Sequence, residues 1–295
     1  MRGQSSIAAI DAGGTSFKCA IVQDNGSILK QWAVNTSAPD ETIEACIAAF
    51  QSAISEMGTG PVALGIASFG PVELDRTSSD FGTITGTAKP GWQGTQLGRR
   101  LAEGLDLPFY LDSDVNAALA AEQRWGEAKA IESAAYMTVG TGIGMGLYIN
   151  GAFAGRPAHP EFGHVRVERH PQDQAFQGIC ALHGDCLEGL ASASAVTARW
   201  GDPRQLSTDD IAWEIEAFYL GQACLNLYLT TRVQRILIGG GLMNVPGLVT
   251  RTQDAFDKLL GGYLPILGSD LICFPGLGAQ AGVLGAATVA LNALN

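Results

Sequence analysis

Apolar residues near the start of the chain fall into three short runs, SIAAID (6–11), FKCAIVQ (17–23) and SILKQWAV (27–34). Runs this short, separated by glycine-containing turns, predict β-strands, with DNGS (24–27) closing a hairpin between the second and third. The pattern then changes period. Ile43, Ile47, Phe50 and Ile54 recur at three and four over residues 40–57, with Asp40 and Glu41 in the first turn, which predicts an amphipathic helix. GPVALGIASFGPVEL (60–74) is a strand entering a glycine-proline turn. DFGTITGTAKPGW (80–92) is irregular and polar, as loops lining a cleft are, and its Trp92 is either a lid or a hydrophobic anchor. TQLGRRLAEGL (95–105) predicts a short helix and PFYLD (108–112) a strand ending at Leu111 or Asp112; a helix then starts after Asp114.

The second half repeats this organisation. AAYMTVGTGIGMGLYI (134–149) is again strand, glycine turn, strand. GLASASAVTARWG (189–201) begins a helix, and DDIAWEIEAFYLGQACLNLYLTT (209–231) predicts a long amphipathic one. VQRILIGGGLM (233–243) and SDLICFP (269–275) are strands, and GAQAGVLGAATVALNAL (278–294) is a closing helix whose small residues suit close packing. Strands alternating with helices make this an α/β chain. Two glycine turns between paired strands, more than a hundred residues apart, resemble a duplicated half with a ligand cleft between the copies. The expected lobes are 1–116 and 117–295, with the last helix able to return to the N-terminal lobe.

Composition narrows the function. The chain has 295 residues, 38 glycines and a formal net charge of −11, so nucleic acid and anionic membranes are not expected partners. No stretch of eighteen apolar residues and no signal-peptide pattern in residues 1–10 are visible, which predicts no membrane span and a cytoplasmic protein. Cys19, Cys46, Cys224 and Cys273 sit in apolar or helical patterns and are expected to be buried thiols. Only Cys180 and Cys186 have metal-ligand spacing.

Candidate chemistry sits in the turns. Asp11 ends the first strand, and Gly13, Gly14 and Thr15 form a turn whose N–H groups can wrap phosphates beside a magnesium ion, although DAGG is equally an ordinary hairpin turn. It is not a Walker A loop, and a strand follows where the dinucleotide fingerprint needs a helix. Thr138, Gly140, Thr141, Gly142 and Gly144 form a second backbone-rich cradle, and Gly239, Gly240 and Gly241 let backbone approach a ring or a phosphate. Asp114, between a strand's carboxyl end and a helix's first turn, is either a catalytic acid or base or a helix cap.

The densest cluster is Pro160 to Glu188, where Cys180, His183 and Cys186 form C-x2-H-x2-C. One upstream histidine, His164 or His170, would complete a tetrahedral zinc site. Phosphate cradles with an acid at a strand end describe phosphoryl transfer, which needs electrostatic cradling and an oriented nucleophile more than covalent groups. Asp114 would deprotonate a sugar hydroxyl, while Glu161, His164 and Glu188 hydrogen-bond the other hydroxyls.

Taken together, DAGGTSFK (from Asp11), FGPVEL (Phe69), GTAKPGW (Gly86), DVNAA (Asp114), TVGTGIGMG (Thr138), HPEFGH (His159), CALHGDCLEG (Cys180) and ILIGGG (Ile236) resemble the ROK family of sugar kinases and regulators, in the actin-like ATPase superfamily. The resemblance covers about residues 6–290 and is nearest to bacterial ROK fructokinases. It implies two similar actin-like (ribonuclease H-like) lobes with a ligand cleft and a zinc-clipped loop. It also implies an ATP-dependent hexose kinase acting on the 6-hydroxyl of fructose, with magnesium on the phosphates, structural zinc and a homodimer. By position it implies Asp114 as base and Glu161, His164 and Glu188 as sugar ligands. The zinc set would be His164, Cys180, His183 and Cys186, favouring His164 over His170, and the nucleotide contacts would extend from Asp11 to Lys18. His164 would then use one ring nitrogen for zinc and the other for a hydroxyl.

Two departures stand out. Ser113 replaces an asparagine found before the base in many sugar-kinase relatives, and ASASA from Ala191 replaces a Ser-Gly-Pro segment. Glucokinase, mannokinase and N-acylhexosamine kinase are the alternatives, sharing the catalytic parts. A family repressor would carry a winged-helix extension before DAGGT, and a non-catalytic sugar-binding protein would be expected to lack Asp114 or a phosphate turn.

Overall fold

The structure, a computed structural model, describes residues 5–87, 89–267 and 270–294. Ala88 of GTAKPGW and Ser269 at the head of SDLICFP lie outside the described residues. Two units emerge: residues 1–129, 155–159 and 277–295 form one, and residues 130–154 and 160–276 the other.

The first unit is built on β1 (Ser6–Ala12), β2 (Ser16–Gln23), β3 (Ile28–Asn35), β4 (Ala63–Ser68) and β5 (Phe109–Ser113), in spatial order β3-β2-β1-β4-β5. The hairpin strands are antiparallel, while β1, β4 and β5 run parallel. β4 is buried at every position, as a sheet covered on both faces requires, whereas the edge strand β3 alternates. On one face α1 (Pro39–Met57) packs Ile43, Cys46 and Phe50 into a cluster with Phe17, Trp92 and Leu101, the last from α2 (Leu97–Leu105). On the other lie α3 (Asp114–Trp125) and α8 (Ala281–Leu294), rich in alanine. Small residues are obligatory there. A Cβ on Gly65 of β4 would fall 1.9 Å from the Ala286 carbonyl, and one on Gly285 would fall 2.5 Å from the Ala117 carbonyl.

The second unit repeats the plan with β6 (Ala134–Val139), β7 (Ile143–Ile149), β8 (Ala152–Phe153), β9 (Arg235–Gly239) and β10 (Ile272–Cys273). Their order, β10-β9-β6-β7-β8, mirrors the first sheet strand for strand, with the same parallel and antiparallel pairings. The duplicated organisation expected from the two glycine turns is therefore present in the topology. Here α4 (Leu187–Ala191), α5 (Ala193–Trp200), α6 (Ile211–Thr231) and α7 (Leu248–Leu260) surround the core. The helix expected from residue 189 is broken into α4 and α5 at Ser192, whose side chain caps the second.

α6 corrects its expectation. It is not one-faced: Trp213, Ile215, Tyr219, Leu220, Cys224 and Tyr228 are buried along its whole length, so packing on several sides has replaced a single apolar stripe. Cys19, Cys46 and Cys224 are buried as expected, whereas Cys273 is only partly so, and none of the six cysteines forms a disulfide. Among the described residues, no helix is long and apolar enough to cross a membrane.

Candidate active site and metal centre

In the first unit the chemistry gathers at the carboxyl end of β1. Asp11 and Lys18 are cross-strand partners, and their side chains approach to 3.8 Å. Burial raises the Asp11 carboxyl above its usual range, opposed by the Lys18 ammonium. α8 presses on the same acid, since a Cβ on Gly282 would lie 2.1 Å from Asp11 Oδ2. Between the strands the turn is tight: Gly13 N–H donates to the Ser16 carbonyl at 3.2 Å, and Thr36 Oγ1 donates to the Gly13 carbonyl at 2.8 Å. Gly14 is exposed, and nothing lies within 4 Å of where its Cβ would be.

Asp114 belongs to the same unit. Its cap interpretation is corrected, because the residue capping α3 is Ser113, whose hydroxyl accepts from Asn116 N–H at 3.3 Å. β5 therefore runs through Ser113, and Asp114 is the first residue of α3, one Oδ accepting from Val115 N–H at 2.9 Å. Ser113 thus holds the helix start rather than merely lacking an amide. Burial pushes the Asp114 pKa up to about 6, reinforced by the negative field of Asp11; Val115 N–H and His159 pull it back. Behind it, the buried Asp112 accepts from Asn116 Nδ2 at 2.9 Å and pairs with Arg156, fixing the strand–helix junction. Trp92 is an anchor rather than a lid. It is fully buried against Phe17 and Phe69, its Nε1–H donating to the Ser37 carbonyl at 3.0 Å.

In the second unit Thr138 lies near the end of β6, the β6–β7 turn carries Gly140, Thr141 and Gly142, and Gly144 is on β7. Gly140 N–H closes onto the Gly142 carbonyl at 2.9 Å. The ASASA segment braces it: Ala193 N–H donates to the Gly140 carbonyl at 2.8 Å, and Ser194 Oγ to the Thr141 carbonyl at 2.9 Å. Glu188, in the first turn of α4, accepts from Ile143 N–H at 2.9 Å, so the glycine turn aims this carboxylate. A Cβ on Gly142 would sit 2.5 Å from its Oε2. Exposed Glu161 precedes a 3-10 turn, Phe162–His164, and that turn rests on β7 so closely that a Cβ on Gly163 would meet the Ile143 carbonyl at 2.1 Å. Ile143 thus ties Glu188 to the segment bearing Glu161 and His164. Gly239 ends β9, and Gly240 (φ 97°) passes so near β6 that a Cβ would lie 2.3 Å from the Val139 carbonyl, which only glycine permits.

His164, Cys180, His183 and Cys186 converge, their ligand atoms all within 4.8 Å of one another. Cys180 Sγ is 3.7 Å from both His164 Nδ1 and His183 Nδ1, and Cys186 Sγ is 3.5 Å from His164 Nδ1. A tetrahedral zinc with ordinary Zn–S and Zn–N lengths requires S···N edges of about 3.6 Å. The loop is shaped for this: Cys180 and Gly184 exchange two backbone hydrogen bonds, with Gly184 at φ 63°. Burial pushes the Cys186 thiol up, which a bound divalent cation would reverse. The cation would be held by two sulfurs and two imidazoles, a donor set that suits zinc. Among the four histidines, His170 does not join them. Its Nδ1 accepts from Gln172 N–H at 3.2 Å, and its ring meets Phe218 edge-on at 5.0 Å. With His164 Nδ1 facing the cysteines, Nε2 is the nitrogen left for another partner.

Sequence reasoning did not pick out Asp112, Arg156, Ile143, Gly163, Gly282 or Lys89. Gly163, within HPEFGH, could have been noticed as a glycine beside two polar candidates; the others act across distances that spacing does not reveal.

Comparisons with known proteins bear on the chain as a whole. The ROK family model matches residues 7–293. A fructokinase from Zymomonas mobilis subsp. mobilis is 39% identical, the alignment covering 97% of this chain and 96% of the relative. A fructokinase from Pediococcus pentosaceus is 38% identical, covering 98% of each. The crystal structure of a ROK hexokinase from Thermus thermophilus superposes with a TM-score of 0.81 at 28% identity, covering 98% of this chain and 99% of that one. On the match across nearly its whole length, the chain belongs to the ROK family.

Proposed function

We propose that the protein is an ATP-dependent hexose kinase that transfers the terminal phosphoryl group of ATP to the 6-hydroxyl of D-fructose, giving fructose 6-phosphate and ADP. The observation that carries this is Asp114: a partly buried acid at a strand end, released from capping by Ser113 and raised to about 6 beside the Asp11 turn. Fructose as the acceptor is supported by the fructokinases of Zymomonas mobilis subsp. mobilis and Pediococcus pentosaceus, at 39% and 38% identity.

One Asp114 oxygen is held by Val115 N–H, and the other would take the hydroxyl proton as the new O–P bond forms and the bond to ADP breaks. A base with a pKa near 6 is ionised at neutral pH yet still basic enough to accept that proton. Glu188, aimed by Ile143 N–H, Glu161 and His164 Nε2 would bond the remaining hydroxyls. The backbones of Gly13, Gly14 and Thr15, with Lys18, would hold one part of the nucleotide. Those of Thr138, Gly140, Thr141, Gly142 and Gly239, Gly240 and Gly241 would hold the rest. Magnesium held near Asp11 would neutralise phosphate charge, and zinc on His164, Cys180, His183 and Cys186 would be structural, clipping the loop that carries Glu188. A homodimer belongs to the same proposal and rests on the family resemblance alone.

A coupled ADP-release assay with Mg-ATP, comparing fructose, glucose, mannose and N-acetylmannosamine by kcat/KM, tests the assignment. Fructose is expected to lead. Another hexose in first place would overturn the specificity, and no turnover with any of them would overturn the kinase.

A further inference from the structure

Lys89 is the residue that the functional assignment leaves without a task. It lies in the excursion between Thr83 and Thr95, whose ends are tied down: Ile84 N–H donates to the Thr95 carbonyl at 3.0 Å and Thr85 N–H to the Pro71 carbonyl at 2.8 Å. Trp92, three residues on, is fully buried against Phe17, the second residue of β2, and bonds the Ser37 carbonyl. The neighbouring Thr36 is itself bonded to both Gly13 and Thr15. The loop is thus moored to the two strands that frame the first glycine turn. Its apex follows: Lys89 Nζ donates to the Gly14 carbonyl.

The charges at this turn are unequal. The Lys18 ammonium faces the Asp11 carboxylate, which offsets it. Among the described residues no carboxylate pairs with Lys89, whose partner is a neutral carbonyl. Among the same residues, the N–H groups of Gly14 and Thr15 have no hydrogen-bond acceptor. An exposed turn with two unspent N–H donors and an uncompensated ammonium is complementary to a phosphate dianion. Donation to the Gly14 carbonyl also polarises the peptide it shares with Thr15 N–H, strengthening that donor. The field of Asp11 reaches Asp114, so the turn and the base share one neighbourhood. The phosphate nearest the base is the one being transferred.

We propose that Lys89 is a phosphate-binding residue for the transferred phosphoryl group, exchanging the Gly14 carbonyl for a phosphate oxygen when nucleoside triphosphate binds. This rests on the kinase assignment. It adds that the loop carrying Lys89 discriminates triphosphate from diphosphate, so that ADP, lacking that group, leaves Lys89 on Gly14.

The test is titration of the wild type and the Lys89→Met and Lys89→Arg variants with magnesium and either a non-hydrolysable ATP analogue or ADP, with fructose titrated separately. Lys89→Met is expected to weaken the triphosphate analogue about 10–100-fold, the scale of one lost hydrogen bond from a charged group. ADP should shift less than about threefold by the same scale, and fructose affinity should hold, which excludes general damage. Lys89→Arg, keeping the charge, should recover most of the loss. Equal weakening of both nucleotides, or no weakening of either, overturns the role of Lys89. If the wild type phosphorylates no hexose, the kinase assignment fails while the titrations still judge Lys89. If it binds neither nucleotide, both fail.

Discussion

Asp114→Asn separates catalysis from stability, because the structure predicts opposite signs for the two. The folded protein raises this carboxyl from 3.8 to about 6, chiefly by burial and then by Asp11. At 1.36 kcal/mol per unit, ionised Asp114 costs the fold at most about 3 kcal/mol. The sign follows from the direction of the shift. A raised folded pKa means the penalty is absent below 3.8, grows between 3.8 and about 6, and is complete above that. Asparagine cannot ionise, and its carbonyl can still accept from Val115 N–H. The variant should therefore melt above the wild type at pH 7.5, by at most roughly 6–12 °C at 2–4 °C per kcal/mol for a domain of this size. At pH 4 the two should melt together. Turnover should fall by about 10²–10⁴, the usual effect of removing a general base. Calorimetry at both pH values and steady-state kinetics at pH 7.5 are sufficient. A variant that is less stable than wild type at pH 7.5, or one that keeps near-normal turnover, would refute the argument.

Cys186→Ser removes a buried sulfur 3.5 Å from His164 Nδ1, so the wild type is expected to purify with one zinc per chain and the variant with far less. Metal analysis decides, and equal zinc in both would reject the site. Gly163→Ala places a Cβ 2.1 Å from the Ile143 carbonyl, which must displace either the Glu161–His164 turn or the β7 strand that holds Glu188. Sugar KM should rise at least about tenfold with ATP KM little changed, consistent with lost positioning on the sugar side; unchanged sugar KM would contradict the packing. Glu161→Gln should raise sugar KM more than ATP KM, and equal effects on both would remove Glu161 from the sugar ligands.

Local features were legible in the sequence because each is written within a few residues. The DAGGT and GTGIG turns lie between apolar runs, and the structure makes both of them hairpins in sheets of identical order. C-x2-H-x2-C brought Cys180, His183 and Cys186 together as spacing implied, and the family resemblance supplied His164. What escaped was set by packing between distant segments. Glu188 is aimed by Ile143, 45 residues away, and Asp112 by Arg156, 44 residues away, contacts that no periodicity encodes. α6 was misjudged because one-faced periodicity assumes a broad solvent face, and this helix keeps only a narrow one, with Glu214 and Asn226 among its exposed residues. Asp114 was ambiguous as cap or base because both roles favour the same residue at the same place. The Ser113 hydroxyl, which accepts from Asn116 N–H, takes the capping role away from Asp114.

The central claim is transfer of phosphate to one hydroxyl of fructose. The direct measurement is phosphorus and carbon NMR of the product formed by the purified protein from fructose and Mg-ATP, with zinc measured on the same preparation. Fructose 6-phosphate formed with stoichiometric ADP is the expected result. Phosphate on another position, or ADP released without a phosphorylated sugar, would contradict the account.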